Sequence, residues 1–197
     1  MSLKYNKVSL GSIDEFNSFC NSNPDIKYID AILTDVSGII RGKRLPIKDA
    51  EKLFKSGIQF CYSTFLLDPT GYCPDAAGRG FSDGDPDATY YPVCGTLSKM
   101  PWHKDKLGQV LITIQDESRY SSIIDPRNVL AKVLEKFDDL HLTFKVAFEL
   151  EFFLFRKRKN ISERPMPPIS NETKKQSEGN QVYGMRELDE FYDFLED

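Results

Sequence analysis

Glu149 and Glu151 are the residues whose type and spacing most directly suggest chemistry. They lie in Lys-Val-Ala-Phe-Glu-Leu-Glu-Phe-Phe-Leu-Phe, residues 145–155. Val146, Phe148, Leu150, Phe152 and Leu154 make every even position apolar, while Lys145, Ala147, Glu149, Glu151, Phe153 and Phe155 fill the odd ones. This pattern predicts a strand, and the side-chain period of two puts both carboxylates on one face, about 7 Å apart. Phe153 and Phe155 flank them, so the strand is expected to be covered on both faces. Burying unpaired carboxylates costs on the order of several kcal/mol per ion. Arg or Lys partners could compensate, and so could divalent cations. Oxygen donors suit Mg²⁺ or Mn²⁺. Two acids that each reach an ion fit a phosphoryl-transfer site whose metals bridge phosphate oxygens. A solvated Glu-x-Glu face is the plain alternative, and periodicity does not separate the two.

The elements that must position these residues are legible in outline. Residues 11–22 predict a short helix capped by Ser12, with Ile13, Phe16, Phe19 and Cys20 as its apolar stripe. Residues 28–34 and 39–46 flank Asp35-Val36-Ser37-Gly38 as a hairpin. Residues 48–55 predict a second helix through Ala50, Leu53 and Phe54, and 57–65 a strand. Residues 68–88 read as a long loop; loops beyond about 12–15 residues are usually functional or disordered. Strands are expected again at 89–93 and 109–115. Asp125-Pro126 then opens a helix as cap and first residue, with Val129, Leu130, Val133, Leu134 and Phe137 at helical spacing. Residues 157–182 read as a polar, Pro-bearing surface loop, and Met185 to Leu195 as a last amphipathic helix. One helix, one strand and one more helix cannot close a two-layer core. The second unit is therefore expected to be truncated, its strand having no sheet to join within that unit.

Composition narrows the function classes. The 197 residues leave room for one domain and part of another. A 40% hydrophobic content with 14 Phe and 9 Tyr can fill a core. A net charge of −4 argues against a nucleic-acid binder, and the cations Arg156 to Lys159 read as a solvated turn. Cys20, Cys61, Cys73 and Cys94 form no Cys-x-x-Cys pair and lie apart from His at metal spacing, so free thiols are expected rather than zinc. The N-terminus lacks the apolar stretch of a signal peptide, and no apolar run approaches the ~20 residues of a membrane span. A soluble, cytoplasmic protein with no membrane partner is expected. The run Asp83-x-Asp85-x-Asp87 is no calcium loop, because Ala88 and Cys94 stand where an EF-hand needs Gly and Glu.

Several motifs, in order, resemble one family. Phe148-Glu149-Leu150-Glu151-Phe152-Phe153-Leu154-Phe155 looks like the first acidic strand of the glutamine synthetase catalytic domain. Asp125-Pro126-Arg127 and its helix resemble the segment opening that domain. Asp35 to Pro46 is similar to the first hairpin of the family's N-terminal β-grasp domain. The run Arg41-Gly42-Lys43-Arg44, with Gln181-Val182-Tyr183, resembles the gamma-glutamylpolyamine (gamma-glutamylputrescine) synthetase branch. The likeness covers residues 26–197. It implies an α+β chain: a lead-in helix at 1–25, a β-grasp domain at 26–122, and the truncated start of a catalytic domain at 123–197.

The resemblance implies an ATP-dependent carbon–nitrogen ligase. Such enzymes phosphorylate the glutamate γ-carboxylate, and ammonia or a polyamine then displaces phosphate. It implies Glu149 as ligand to the ion near the ATP phosphates, Glu151 as ligand to the ion near glutamate, Mg²⁺ (or Mn²⁺) as cofactor, and ATP as co-substrate. It also implies stacked-ring homo-oligomers in which an acidic loop reaches the neighbouring subunit's site. Asp68 corresponds to the Asp of that loop's Asp-Gly-Ser-Ser motif, which helps deprotonate ammonium. The sequence reads Asp68-Pro69-Thr70-Gly71 instead, a departure that favours a polyamine over ammonia. Asp85 or Asp87 matches the loop's second acid; a solvated Asp-rich turn is the alternative. His103 and His141 match no family ligand. The family's later Glu, His and Arg ligands lie beyond residue 197, so the chain alone is expected not to complete a turnover. The second reading is a non-catalytic β-grasp interaction or structural module of the same family.

Overall fold

The computed structural model describes residues 8–75, 78, 80–103, 106–114, 124–169, 174–176 and 185. The chain packs as two compact units, Met1–Lys145 and Val146–Asp197.

The first unit is a mixed sheet with helices α1 (Ile13–Ser22), α2 (Ile47–Ser56) and α3 (Pro126–Asp139). Its strands are β1 (Tyr28–Thr34), β2 (Ile40–Pro46), β3 (Ile58–Cys61), β4 (Asp87–Pro92), β5 (Ser98–Lys99) and β6 (Leu107–Ile114). Spatial order is β2-β1-β6-β4-β3, with β5 on β6. β1 and β6 run parallel at the centre, and the other pairs are antiparallel.

The pattern in β1 explains its place. Ile29, Ala31 and Leu33 alternate inward and are buried, as period two requires. β6 has Val110, Ile112 and Ile114 in the core and Thr113 fully buried as well, as fits a central strand. α2 lays Ala50, Leu53 and Phe54 against this sheet. Its C-terminal Gly57, at φ +76°, donates to Leu53 O and stops the helix. Ser12 caps α1 as expected, its hydroxyl accepting Glu15 N–H at 3.1 Å. Phe16 then meets Phe54, with ring centroids 5.0 Å apart.

The sheet curls strongly. β2 and β3 are its opposite edges, yet Lys43 Nζ on β2 donates to Gln59 O on β3 at 2.7 Å. The same ammonium lies 4.4 Å from the centroid of the Phe60 ring.

Two expectations are corrected, and one strand is new. The strand expected over 57–65 ends at Cys61 and continues as a 3-10 turn, Tyr62–Leu66. β4 stops pairing with β3 at Asp87↔Cys61, so the ladder ends there. The short strand β5 carries no alternating apolar signal and was not anticipated. The largest difference lies at 145–155. No strand forms there; these residues have no ladder partner among the described residues and are exposed. Phe148 is 89% and Leu150 83% exposed. A strand needs a neighbour for its N–H and C=O groups, and the described part of Val146–Asp197 supplies none at this segment. The expected cover on both faces is therefore missing among the described residues.

Asp125 caps α3 by accepting Arg127 N–H at 2.9 Å, as read from the sequence. It also accepts from Thr113 Oγ1 and Ile114 N, tying the helix start to β6. The apolar stripe of α3 stays open, with Val129, Leu130 and Val133 all exposed. Gln181-Val182-Tyr183 and the expected helix after Met185 lie outside the described residues.

Candidate functional site

Asp68 follows the 3-10 turn Tyr62–Leu66 and is half-buried at the mouth of the long loop. Its carboxylate organises that loop. Oδ1 accepts Thr70 N–H at 2.8 Å, Thr70 Oγ1–H at 2.7 Å and Tyr72 N–H at 3.0 Å. Asp68 N–H donates to Tyr72 O, and Gly71 N–H to Asp68 O. Gly71 takes φ +87°, which closes the turn at a position where side chains are strained. The Thr70 hydroxyl and then the loop's N–H donors lower the Asp68 carboxyl below the ordinary carboxylate range. It is ionised at neutral pH. A carboxylate so held is a weak base that attracts cations more readily than it takes up a proton.

The β1–β2 turn is pinned to the same segment. Asp35 is buried in that turn and accepts Ser37 N–H at 2.9 Å and Ile39 N–H at 2.8 Å. Arg41 Nε–H donates to Asp35 Oδ2 at 2.9 Å, and the Nη2 of the same guanidinium donates to Asp68 O at 3.0 Å. Val36 N–H donates to Phe65 O, and Ser37 Oγ–H to Leu67 O. Burial acts to raise the Asp35 carboxyl, but the Ile39, Arg41 and Ser37 donors outweigh it and leave it below the ordinary range.

A second cluster stands where β3 meets β4. Cys61 Sγ lies 3.5 Å from Asp87 Oδ1, and Asp85 Oδ1 accepts Ser63 N–H at 3.4 Å. Asp85 adopts φ +47°, a conformation that Asp tolerates better than bulky residues do. Burial, followed by Asp87 and Asp85, pushes the Cys61 thiol up to about 11. Sequence reading found the two acids but missed Cys61. The loop between Cys61 and Asp87 is too long to fix the strand register, and only the antiparallel pairing brings them opposite.

Glu149 and Glu151 lie in the second unit and are exposed. In kind they fit a hard divalent cation, being two carboxylates one residue apart. In number they are too few to enclose one: among the described residues, no three His, Cys, Asp or Glu side chains converge as a metal centre. His103 and His141 are exposed. No disulfide joins Cys20, Cys61, Cys73 or Cys94. Among the described residues, no helix is long and apolar enough to cross a membrane.

Comparison with known proteins supplies the class. Residues 123–197 match the family model "Glutamine synthetase, catalytic domain". The chain is 34% identical over 183 residues to gamma-glutamylputrescine synthetase PuuA of Escherichia coli (strain K12), covering 93% of the chain and 39% of that protein. It is 32% identical to the glutamate–isopropylamine ligase of a Pseudomonas species, covering 61% of the chain and 26% of the relative. It is 30% identical to the glutamine synthetase of Pyrococcus horikoshii, covering 67% and 26%. The chain belongs to the glutamine synthetase family, and these relatives are ligases. It spans between about a quarter and two fifths of their length.

Proposed function

We propose that this sequence forms the front part of an ATP-dependent ligase that joins an amine to the γ-carboxylate of glutamate through γ-glutamyl phosphate. Residues 26–122 are its β-grasp domain and 123–197 the start of its catalytic domain. The observation that carries this reading is the continuous similarity to gamma-glutamylputrescine synthetase over 93% of the chain. A second amine-using relative, glutamate–isopropylamine ligase, supports an organic amine over ammonia as acceptor. Asp68 is the carboxylate that meets the acceptor amine, in cytoplasmic oligomers whose sites lie between subunits.

Glu149 and Glu151 hold Mg²⁺ or Mn²⁺ in this reading. Such ions neutralise negative charge on a transferring phosphoryl group. The protein's own task at that point is to present two ionised carboxylates side by side. The parent ligase, assayed with Mg²⁺, ATP and glutamate, is expected to release phosphate faster with putrescine than with ammonia. A strong preference for ammonia overturns the polyamine assignment. Glu151→Ala is expected to abolish ligation, and full activity of that variant with Mg²⁺ removes Glu151 from the site. A non-catalytic module of the same family is the second reading, favoured by the exposure of both carboxylates. Parent protein that binds neither ATP nor glutamate in calorimetry would establish it.

A further inference from the structure

We infer that Arg41 is a positioning residue that fixes the Asp68 loop relative to the β1–β2 turn. The inference rests on the reading of Asp68 as the amine-facing carboxylate. The Arg41 guanidinium is a planar fork with several donors in fixed relation. One arm, Nε–H, is spent on Asp35 Oδ2 at 2.9 Å, and another, on Nη2, on the Asp68 carbonyl at 3.0 Å. Asp35 is a rigid anchor for the first arm. Its side chain is fully buried, and two backbone N–H groups of its own turn hold its other oxygen. The second arm ends on the carbonyl that also accepts Gly71 N–H and so closes the loop.

Two further bonds run between the same segments, from Val36 N–H to Phe65 O and from Ser37 Oγ–H to Leu67 O. They hold the chain leading into Asp68 but not Asp68 itself. Arg41 is the contact among these that reaches the residue bearing the carboxylate. The register explains why a cation stands there. Arg41 pairs with Leu33 of β1, so it sits at a core-facing position of an edge strand, next to the turn rather than in solvent. An apolar residue at this position could fill the space but could not satisfy Asp35 and Asp68 O together.

Lysine offers a discriminating variant, because one ammonium keeps the charge yet lacks the two-armed fork. In Arg41→Lys, amide hydrogen exchange at Asp68, Gly71 and Tyr72 is expected to quicken at least tenfold. Exchange at Ala31 and Val110, in the central strands, is expected to stay at the wild-type rate and serves as the control for folding. In the parent ligase the same variant is expected to raise KM for the amine about tenfold while leaving KM for ATP within twofold. Wild-type exchange across residues 68–72 in Arg41→Lys would overturn the inference. Should that variant lose the central-strand protection as well, Arg41→Gln is measured in its place by the same exchange criterion. Asp68→Asn separates the two claims: if it leaves amine KM and kcat unchanged while Arg41→Lys still loosens the loop, the role of Asp68 falls and the positioning by Arg41 stands.

Discussion

Asp35 shows how one residue ties pH to stability. Its carboxyl lies below the ordinary range in the folded chain, whereas an unfolded Asp titrates near ~3.9. The folded state therefore favours the ionised form. The stability it contributes is fully present above the unfolded pKa and is lost as pH falls through the folded one. Asp35→Asn is expected to cost about 1–3 kcal/mol at pH 7, the range for a buried hydrogen-bonding group whose partner is left unsatisfied. Urea denaturation of both proteins from pH 6 to pH 2 checks this; the two stabilities should converge as the pH falls below about 4. Cys61 behaves in the opposite sense. With its thiol pushed up to about 11, it holds little thiolate at pH 8. Iodoacetamide is expected to label exposed Cys94 before Cys61, as peptide mass spectrometry would show. Faster labelling of Cys61 would contradict the protonated state assigned to it.

The elements differ in how much of them is local. α1 was readable because its cap and stripe are both written in sequence: Ser12, then Ile13 and Phe16 at helical spacing. Ser12→Ala is expected to destabilise the fold by about 1 kcal/mol in thermal or chemical unfolding. The end of α2 is fixed by both local and distant structure. Gly57 stands at φ +76°, and a Cβ there would lie 2.7 Å from the Tyr90 carbonyl oxygen. Gly57→Ala is expected to cost about 1–3 kcal/mol, because both the backbone conformation and the approach of β4 oppose it. The helix C-terminus was visible in sequence; the close approach of β4 was not.

Across the whole molecule, burial divides the apolar residues sharply. Leu53 is wholly buried, and Leu53→Ala is expected to cost about 2–5 kcal/mol. Phe148 is 89% exposed, and Phe148→Ser is expected to stay within about 0.5 kcal/mol of the parent chain. Parallel urea titrations of the two variants compare them directly. Hydropathy does not distinguish these residues, since both read as core. By itself, the sequence determined the family, the caps Ser12 and Asp125, the hairpin at Asp35 and the alternation that marks β1, because those signals reside in neighbouring residues. Asp68 was legible only as a match to a family loop, and Glu149 with Glu151 only as a spaced pair. Tertiary structure decided what surrounds them. It brought Arg41 from an edge strand to the Asp68 carbonyl, set Cys61 beside Asp87 by strand register, and left Glu149 and Glu151 exposed. These outcomes depend on which backbones lie alongside one another, and on which segments find a neighbour for their hydrogen bonds, information that no local spacing carries.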